Sequence, residues 1–154
     1  MCIRDSSNSS YGYTAMQNNT TGGNNVAYGH SALFSNTTAS NNTAVGFQAA
    51  YSNTTGNLFA VLGYQAGYSN TTGAGNSYFG RGAGYTNSTS NYNSAFGNAA
   101  LYNSTGSSNS ALGSNALNGN TSGSYNTAIG DSALTSNTTA VSYTHLTLPT
   151  KRIV

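Results

Sequence analysis

Residues 42–56 read N-T-A-V-G-F-Q-A-A-Y-S-N-T-T-G, and the rest of the chain is variations on them. Gly46 is the anchor. Equivalent glycines stand at Gly12, Gly29, Gly63, Gly80 and Gly97, each seventeen residues from the next, then at Gly113 after sixteen and at Gly130 after seventeen. Three residues after each anchor there is an alanine: Ala15, Ala32, Ala49, Ala66, Ala83, Ala100, Ala116, Ala133. One residue before it there is a large apolar side chain: Tyr11, Tyr28, Val45, Leu62, Phe79, Phe96, Leu112, Ile129. Eight copies in register define a stacked repeat architecture.

Both ends depart from this pattern. One permitted coding of residues 1–5, read as its reverse complement, translates as Val-Ser-Tyr-Thr-His, which is residues 141–145. Both ends resemble translated transposase-type sequencing adapter. Residues 1–6 and 141–154 are therefore expected to be non-native, and residues 7–140 to form the repeat domain.

Within residues 7–140, Arg81, Asp131 and His30 are the only Arg/Lys, Asp/Glu and His residues, so the formal net charge is zero. No basic patch exists for nucleic acid. Cys2 and Pro149 fall in the excluded ends. No apolar run is long enough to span a bilayer, so no membrane contact is expected within this fragment. The Asn/Ser/Thr/Gly-rich composition suggests disorder, but a disordered tract has no reason to hold apolar positions in phase.

Positions are counted from the anchor glycine. Residues −3 to −1 read V-A-Y, T-A-V, A-V-L, S-Y-F, S-A-F, S-A-L and T-A-I, which predicts a short strand. A second extended piece is expected from +3 to +5, as at Leu33–Phe34, Tyr51 and Leu101–Tyr102. The turn follows: Ser, Asn, Thr and Gly at residues 52–56 and 69–73 suit left-handed and self-bonded backbone. A second polar corner, with Asn at −4 (Asn25, Asn42, Asn76, Asn93, Asn109, Asn126), closes the coil. The sixteen-residue step keeps its N-T-T-G match if the gap falls just before Asn103, in the turn. The fold class is therefore all-β: a parallel β-solenoid of about eight coils. At about 4.8 Å per coil its rod would be roughly 35–40 Å long. Recurrent asparagines of the turn (Asn36, Asn53, Asn70, Asn87, Asn120, Asn137) would stack as a ladder.

Successive strand residues face opposite ways. The −1 residues Tyr28, Val45, Leu62, Phe79, Phe96, Leu112 and Ile129 are read as the core file. The −2 residues Ala27, Ala44, Ala95, Ala111 and Ala128 then point outward. Strands apolar on both faces are usually covered on both, so the −2 file is the candidate subunit interface.

The motifs N-T-A-V-G-F-Q-A, S-N-S-A-L-G-S-N-A and Y-N-T-A-I-G-D-S-A resemble the head repeats of trimeric autotransporter adhesins, the YadA-like heads. The resemblance covers residues 7–140. It implies a left-handed β-roll, a homotrimer and projection from a bacterial outer membrane. The period here is longer than the usual head repeat, with the extra residues in the turn. Similar N-T-A-I-G arrays occur in phage and virus fibre proteins.

No catalytic constellation is visible, and no cofactor or metal site is expected. Glycosidic or metal-assisted chemistry needs paired carboxylates or a metal cluster, and the repeats hold one carboxylate, Asp131. A triad would need His30 beside Asp131, yet they belong to the second and eighth copies. Both stand at +1, a variable position. Glycine pairs such as Gly22-Gly23 lack the Lys and helix of a phosphate loop. N-x-S/T sequons recur at Asn19, Asn36, Asn53, Asn70, Asn87, Asn103, Asn120 and Asn137; the turn explains them without glycosylation. The +5 file of Tyr51, Tyr68, Tyr85 and Tyr102, with Phe34, is read first as core and second as a receptor contact. A non-enzymatic binding and structural module is expected: the head or shaft of a surface adhesin, with a host-surface or matrix receptor as partner. A virion or tail fibre is the alternative. An ice-binding solenoid, suggested by the +8 file Thr20, Thr37, Thr54, Thr71, Thr121 and Thr138, is a distant third.

Overall fold

The computed structural model describes residues 7–139, 142 and 144–146. Residues 1–6 of the adapter-like start lie outside it. The described chain is all-β, without a helix. Nine strands of three residues form one parallel sheet in sequential order: β1 (Ser9–Tyr11), β2 (Val26–Tyr28), β3 (Thr43–Val45), β4 (Ala60–Leu62), β5 (Ser77–Phe79), β6 (Ser94–Phe96), β7 (Ser110–Leu112), β8 (Thr127–Ile129) and β9 (Thr144–Leu146). Each residue pairs with its equivalent one coil on, as Ala44 with Val61 and Val61 with Tyr78. The chain is a β-solenoid of seventeen-residue coils.

The anchor glycine ends each strand for a steric reason. Gly46 has φ +135°, and a Cβ there would collide with the carbonyl of Gly63 in the next coil. Side chains are excluded at this position by the neighbouring coil as well as by the dihedral.

The facing of the strand is the reverse of the expectation. The −2 residues are inside: Ala27, Ala44, Ala95, Ala111 and Ala128 are at most 2 % exposed, as are Val61 and Tyr78. The −1 residues are outside, with Tyr28 56 %, Leu62 50 %, Leu112 53 % and Ile129 40 % exposed, and Phe79 and Phe96 also open; Val45 is half-buried. The −2 alanines therefore cannot be an interface, and the −1 file is not the core. The cause lies two residues upstream. Position −4 shares the facing of −2, and the −4 asparagines are fully buried, where their amides tie the coil together. Asn42 Nδ2 donates to the Gly56 carbonyl across the coil, and its Oδ1 accepts the Phe59 N–H of the next coil. A polar side chain with both ends satisfied inside fixes the facing of the whole strand.

The second extended piece does not form. Positions +1 to +6 are turns, bent by left-handed residues at +2 and +4: Gln48 and Ala50 (both φ +51°), Ala99 and Leu101 (+52° and +51°). The Ala49 N–H donates to the Gly46 carbonyl and the Asn53 N–H to the Ala50 carbonyl, closing two consecutive turns. This corner sends +3 and +4 inward, so the core comprises Ala at +3 and Leu33, Ala50, Leu101 or Leu117 at +4, packed against −2.

The short coil drops a different residue from the one expected. Ser104, not Asn103, is buried at +7 and accepts from Asn120 Nδ2 (3.2 Å). Thr105 keeps the +8 bond to the Thr121 carbonyl, and Gly106 keeps the +10 place, accepting from Asn93 Nδ2. The missing residue is thus +9, which is exposed in the other turns (Thr38, Thr55, Thr72, Thr89). Omitting it costs one bond between coils, the kind the Thr55 N–H makes to the Thr71 carbonyl, and removes no buried side chain.

At the far end, Thr144–Leu146 adds a strand to β8 in register, although residues 141–154 resemble adapter. Seventeen residues separate Thr127 from Thr144, and an open parallel edge accepts any extended segment at the right spacing.

Candidate functional site

Among the side chains that reach the outside of the rod, three files carry its stacked rings and apolar row, and each is produced by the coil's local geometry. The first is the outer face of the sheet. Strand alternation puts −3 and −1 outward, so a row of small residues (Ser77, Ser94, Ser110, Thr127) runs beside the apolar −1 row. Between them lies a shallow groove of about 280 Å³, walled by Phe96, Leu112 and Ile129. The Tyr11–Tyr28 and Phe79–Phe96 rings stack along this row, each with centroids 5.0 Å apart. An exposed apolar row on a parallel sheet is unusual, because such sheets are normally covered on both faces.

The second file is +1, on the far side of the anchor glycine. Tyr13, His30, Phe47 and Tyr64 stack in sequence at 5.2 Å, and the Arg81 guanidinium stands 6.0 Å from the Tyr64 ring centroid. His30 Nδ1 and the Ser31 hydroxyl are 2.9 Å apart. The column then turns polar, through Asn98 and Ser114 to Asp131. The structure leaves His30 and Asp131 in the second and eighth coils.

The third file is +5. Phe34, Tyr51, Tyr68, Tyr85 and Tyr102 stack with centroids 4.9–5.2 Å apart and planes within 8° of parallel. These rings are half-buried, neither wholly core nor free. Loss of hydration holds the Tyr85 pKa above the ordinary value, and the phenols of Tyr102, Tyr68 and Tyr64 add to the shift.

Beneath these surfaces runs a polar skeleton. Asn36, Asn53, Asn70, Asn87 and Asn120 are fully buried, and Asn137 is half-buried at the end. Asn53 Nδ2 donates to Asn36 Oδ1 (3.2 Å) and to the Gly56 carbonyl (3.0 Å), and Asn70 Nδ2 donates to Asn53 Oδ1 (2.9 Å). The Gly56 carbonyl therefore receives two amides, one from Asn42 and one from Asn53. The +8 threonines donate to the next coil, as Thr54 Oγ1 does to the Thr71 carbonyl (3.0 Å). Their hydroxyl protons are committed to the rod, which weakens the ice-binding reading of that file.

The skeleton is interrupted in one place, which sequence reasoning missed. Phe59 replaces Asn at −4, and Tyr78 fills −2 of the next coil. Asn70 Oδ1, Tyr78 OH and Asn87 Nδ2 are buried there without a hydrogen-bond partner. Burial pushes the Tyr78 hydroxyl far above the ordinary tyrosine pKa; the nearby amides of Asn93 and Asn87 oppose the shift without reaching hydrogen-bond geometry. The signal was present in the sequence: the coils with large −2 residues, Val61 and Tyr78, are those with Gly67 and Gly84 at +4.

Among the described residues, no three of His, Cys, Asp or Glu gather as a metal site, and no helix is long and apolar enough to cross a membrane. Comparison of the chain with protein-family models, with curated proteins and with solved structures gave no match.

Proposed function

We propose that the repeat region is a non-catalytic structural and binding module, a segment of the head or shaft of a trimeric bacterial surface adhesin displayed outside the cell. The observation that carries this reading is the exposed apolar row at −1. Leu62, Phe79, Phe96, Leu112 and Ile129 form an unbroken exposed row across β4 to β8. Two further copies laid against it would cover that row, and the small −3 residues beside it would let the sheets approach closely. The resemblance to YadA-like heads supports the number three. A phage or virus fibre would use the same association, and the coding sequence downstream separates the two: a membrane-anchor barrel for the adhesin, an intramolecular chaperone for the fibre.

Sedimentation equilibrium tests the association. The wild-type chain is expected to sediment as a trimer. Leu112→Lys, which sets charges in the apolar row, is expected to yield folded monomers. A wild type that is monomeric at all concentrations and retains β-sheet circular dichroism would overturn the proposal.

A further inference from the structure

We propose that Asn103 and Asn18 are acceptor sites for N-linked glycosylation of the folded protein, with a nucleoside-diphosphate hexose as donor. The acceptor signal N-x-S/T recurs in every turn, and the fold divides its copies into two groups. At +7 of the inner coils the asparagine is inside: Asn36, Asn53, Asn70, Asn87 and Asn120 are 0 % exposed, while Asn19 and Asn137 in the first and last coils are half-buried. The Nδ2 atoms of Asn36, Asn53, Asn70 and Asn120 donate to the carbonyl three residues on. A sugar on such a nitrogen would have to occupy the interior of the coil, where equivalent residues of successive coils are in direct contact.

In the sixth coil the signal Asn103-Ser104-Thr105 begins one position earlier. Ser104 takes the buried place, and Asn103 stands outside at +6. Its Nδ2 lies 3.5 Å from Asn118 Oδ1, at the outer limit of a hydrogen bond. The first coil repeats the arrangement with Asn18-Asn19-Thr20: Asn18 is also at +6 and exposed. Both signals end in an exposed threonine, Thr105 or Thr20, whose hydroxyl donates to a carbonyl of the next coil. Asn41 is exposed too, and its hydroxyl residue, Thr43, lies in β3 between two paired strands.

The reaction is a displacement. The asparagine Nδ2 forms a bond to C1 of the hexose, and the bond from C1 to the diphosphate oxygen breaks. The nucleoside diphosphate leaves with the electron pair, and the amide proton passes to a base on the transferase. Nothing is oxidised or reduced.

The folded full-length chain, incubated with a soluble N-x-S/T-specific glycosyltransferase and UDP-glucose, tests this by peptide mapping in a mass spectrometer. Hexose is expected on Asn103 and Asn18, and none on Asn36, Asn53, Asn70, Asn87 or Asn120. The same chain held in denaturant before transfer is expected to gain hexose on those five as well. Asn103→Gln is expected to lose one site and keep its thermal transition. Two outcomes would overturn the proposal: equal modification of Asn53 and Asn103 in the folded chain, or an unmodified Asn103 when a peptide of residues 100–108 is modified. The inference is independent of the association proposed above.

Discussion

The Tyr78 ring occupies the space that a side chain on Gly84 would need: a Cβ there would come within 2.5 Å of Tyr78 Cε2. In most coils the core pairs a small −2 residue with a larger +4 residue, as Ala111 with Leu117. The fifth coil inverts the pair and conserves the volume. Overpacking and cavity formation each destabilise a close-packed core.

A double-mutant cycle tests this exchange. Gly84→Leu alone is expected to cost about 3 kcal/mol through overpacking. Tyr78→Ala alone is expected to cost about 3–5 kcal/mol through the cavity it leaves. The double variant reproduces the pair of the sixth coil, Ala95 with Leu101, and should recover about 2 kcal/mol or more of the summed loss. Additive losses in urea denaturation would show that the two residues do not share one space.

The two facings of the strand separate in a lysine scan of one coil. Ala111→Lys drives a charge into the coil interior and is expected to unfold the chain or cost several kcal/mol. Leu112→Lys places the same charge outside and should leave the circular dichroism spectrum intact while abolishing association. Ser114→Lys at the half-buried, outward-facing +1 position is the control, within about 0.5 kcal/mol of wild type and still associated. A silent Ala111→Lys would contradict the observed facing.

The raised tyrosine pKa values are expected to weaken the fold at alkaline pH. Unfolded tyrosines ionise near pH 10, whereas burial keeps Tyr78 neutral well above that, and Tyr85 is shifted in the same direction. The folded state therefore binds more protons than the unfolded state above about pH 10. The stability these residues contribute is complete below that pH and declines as the pH rises further. Tyr78→Phe removes a buried hydroxyl that lacks a partner, so stability at neutral pH should not fall. The midpoint of alkaline unfolding, followed by circular dichroism, should move upward.

Leu58 is exposed and held at φ +58°. Left-handed backbone costs an ordinary L residue roughly 1–2 kcal/mol, and asparagine tolerates it better. Equivalent positions carry Asn24 and Asn41, both left-handed. Leu58→Asn is expected to stabilise the chain by up to about 1 kcal/mol, read as an increase in Tm.

The period, the anchor and the parallel stacking were legible because one local collision, a Cβ against the next coil's carbonyl, forces glycine into the same place each time. The facing of the strand was not. Both −1 and −2 are apolar, and three residues are too few for alternation to decide which is inside. What decides it is a contact between residues fourteen apart, Asn42 with Gly56, repeated as Asn25 with Ala39 and Asn109 with Gly123. The corner was misread as a strand because its left-handed positions are filled by Gln48, Ala50 and Leu101, residue types that do not advertise such backbone. The turn deletion was placed by matching letters, Asn103 to Asn, whereas burial places Ser104 in the ladder. The outer files at +1 and +5 were legible as files. Their stacking depth was not, since it depends on how far each corner lifts its ring from the coil.

The direction of the hydrogen bonds has a mechanical consequence. Strands cross the rod, while the bonds between coils run along it, so a pull on the two ends loads those bonds end-on and one coil at a time. Each seventeen-residue coil that peels away releases about 60 Å of extended chain and shortens the rod by about 5 Å. Under tension the single chain should lengthen in even steps, with one step about 3.5 Å shorter where the sixteen-residue coil lets go. A tether built this way absorbs a sudden load by unspooling, and it rewinds against its own remaining edge when the load is released.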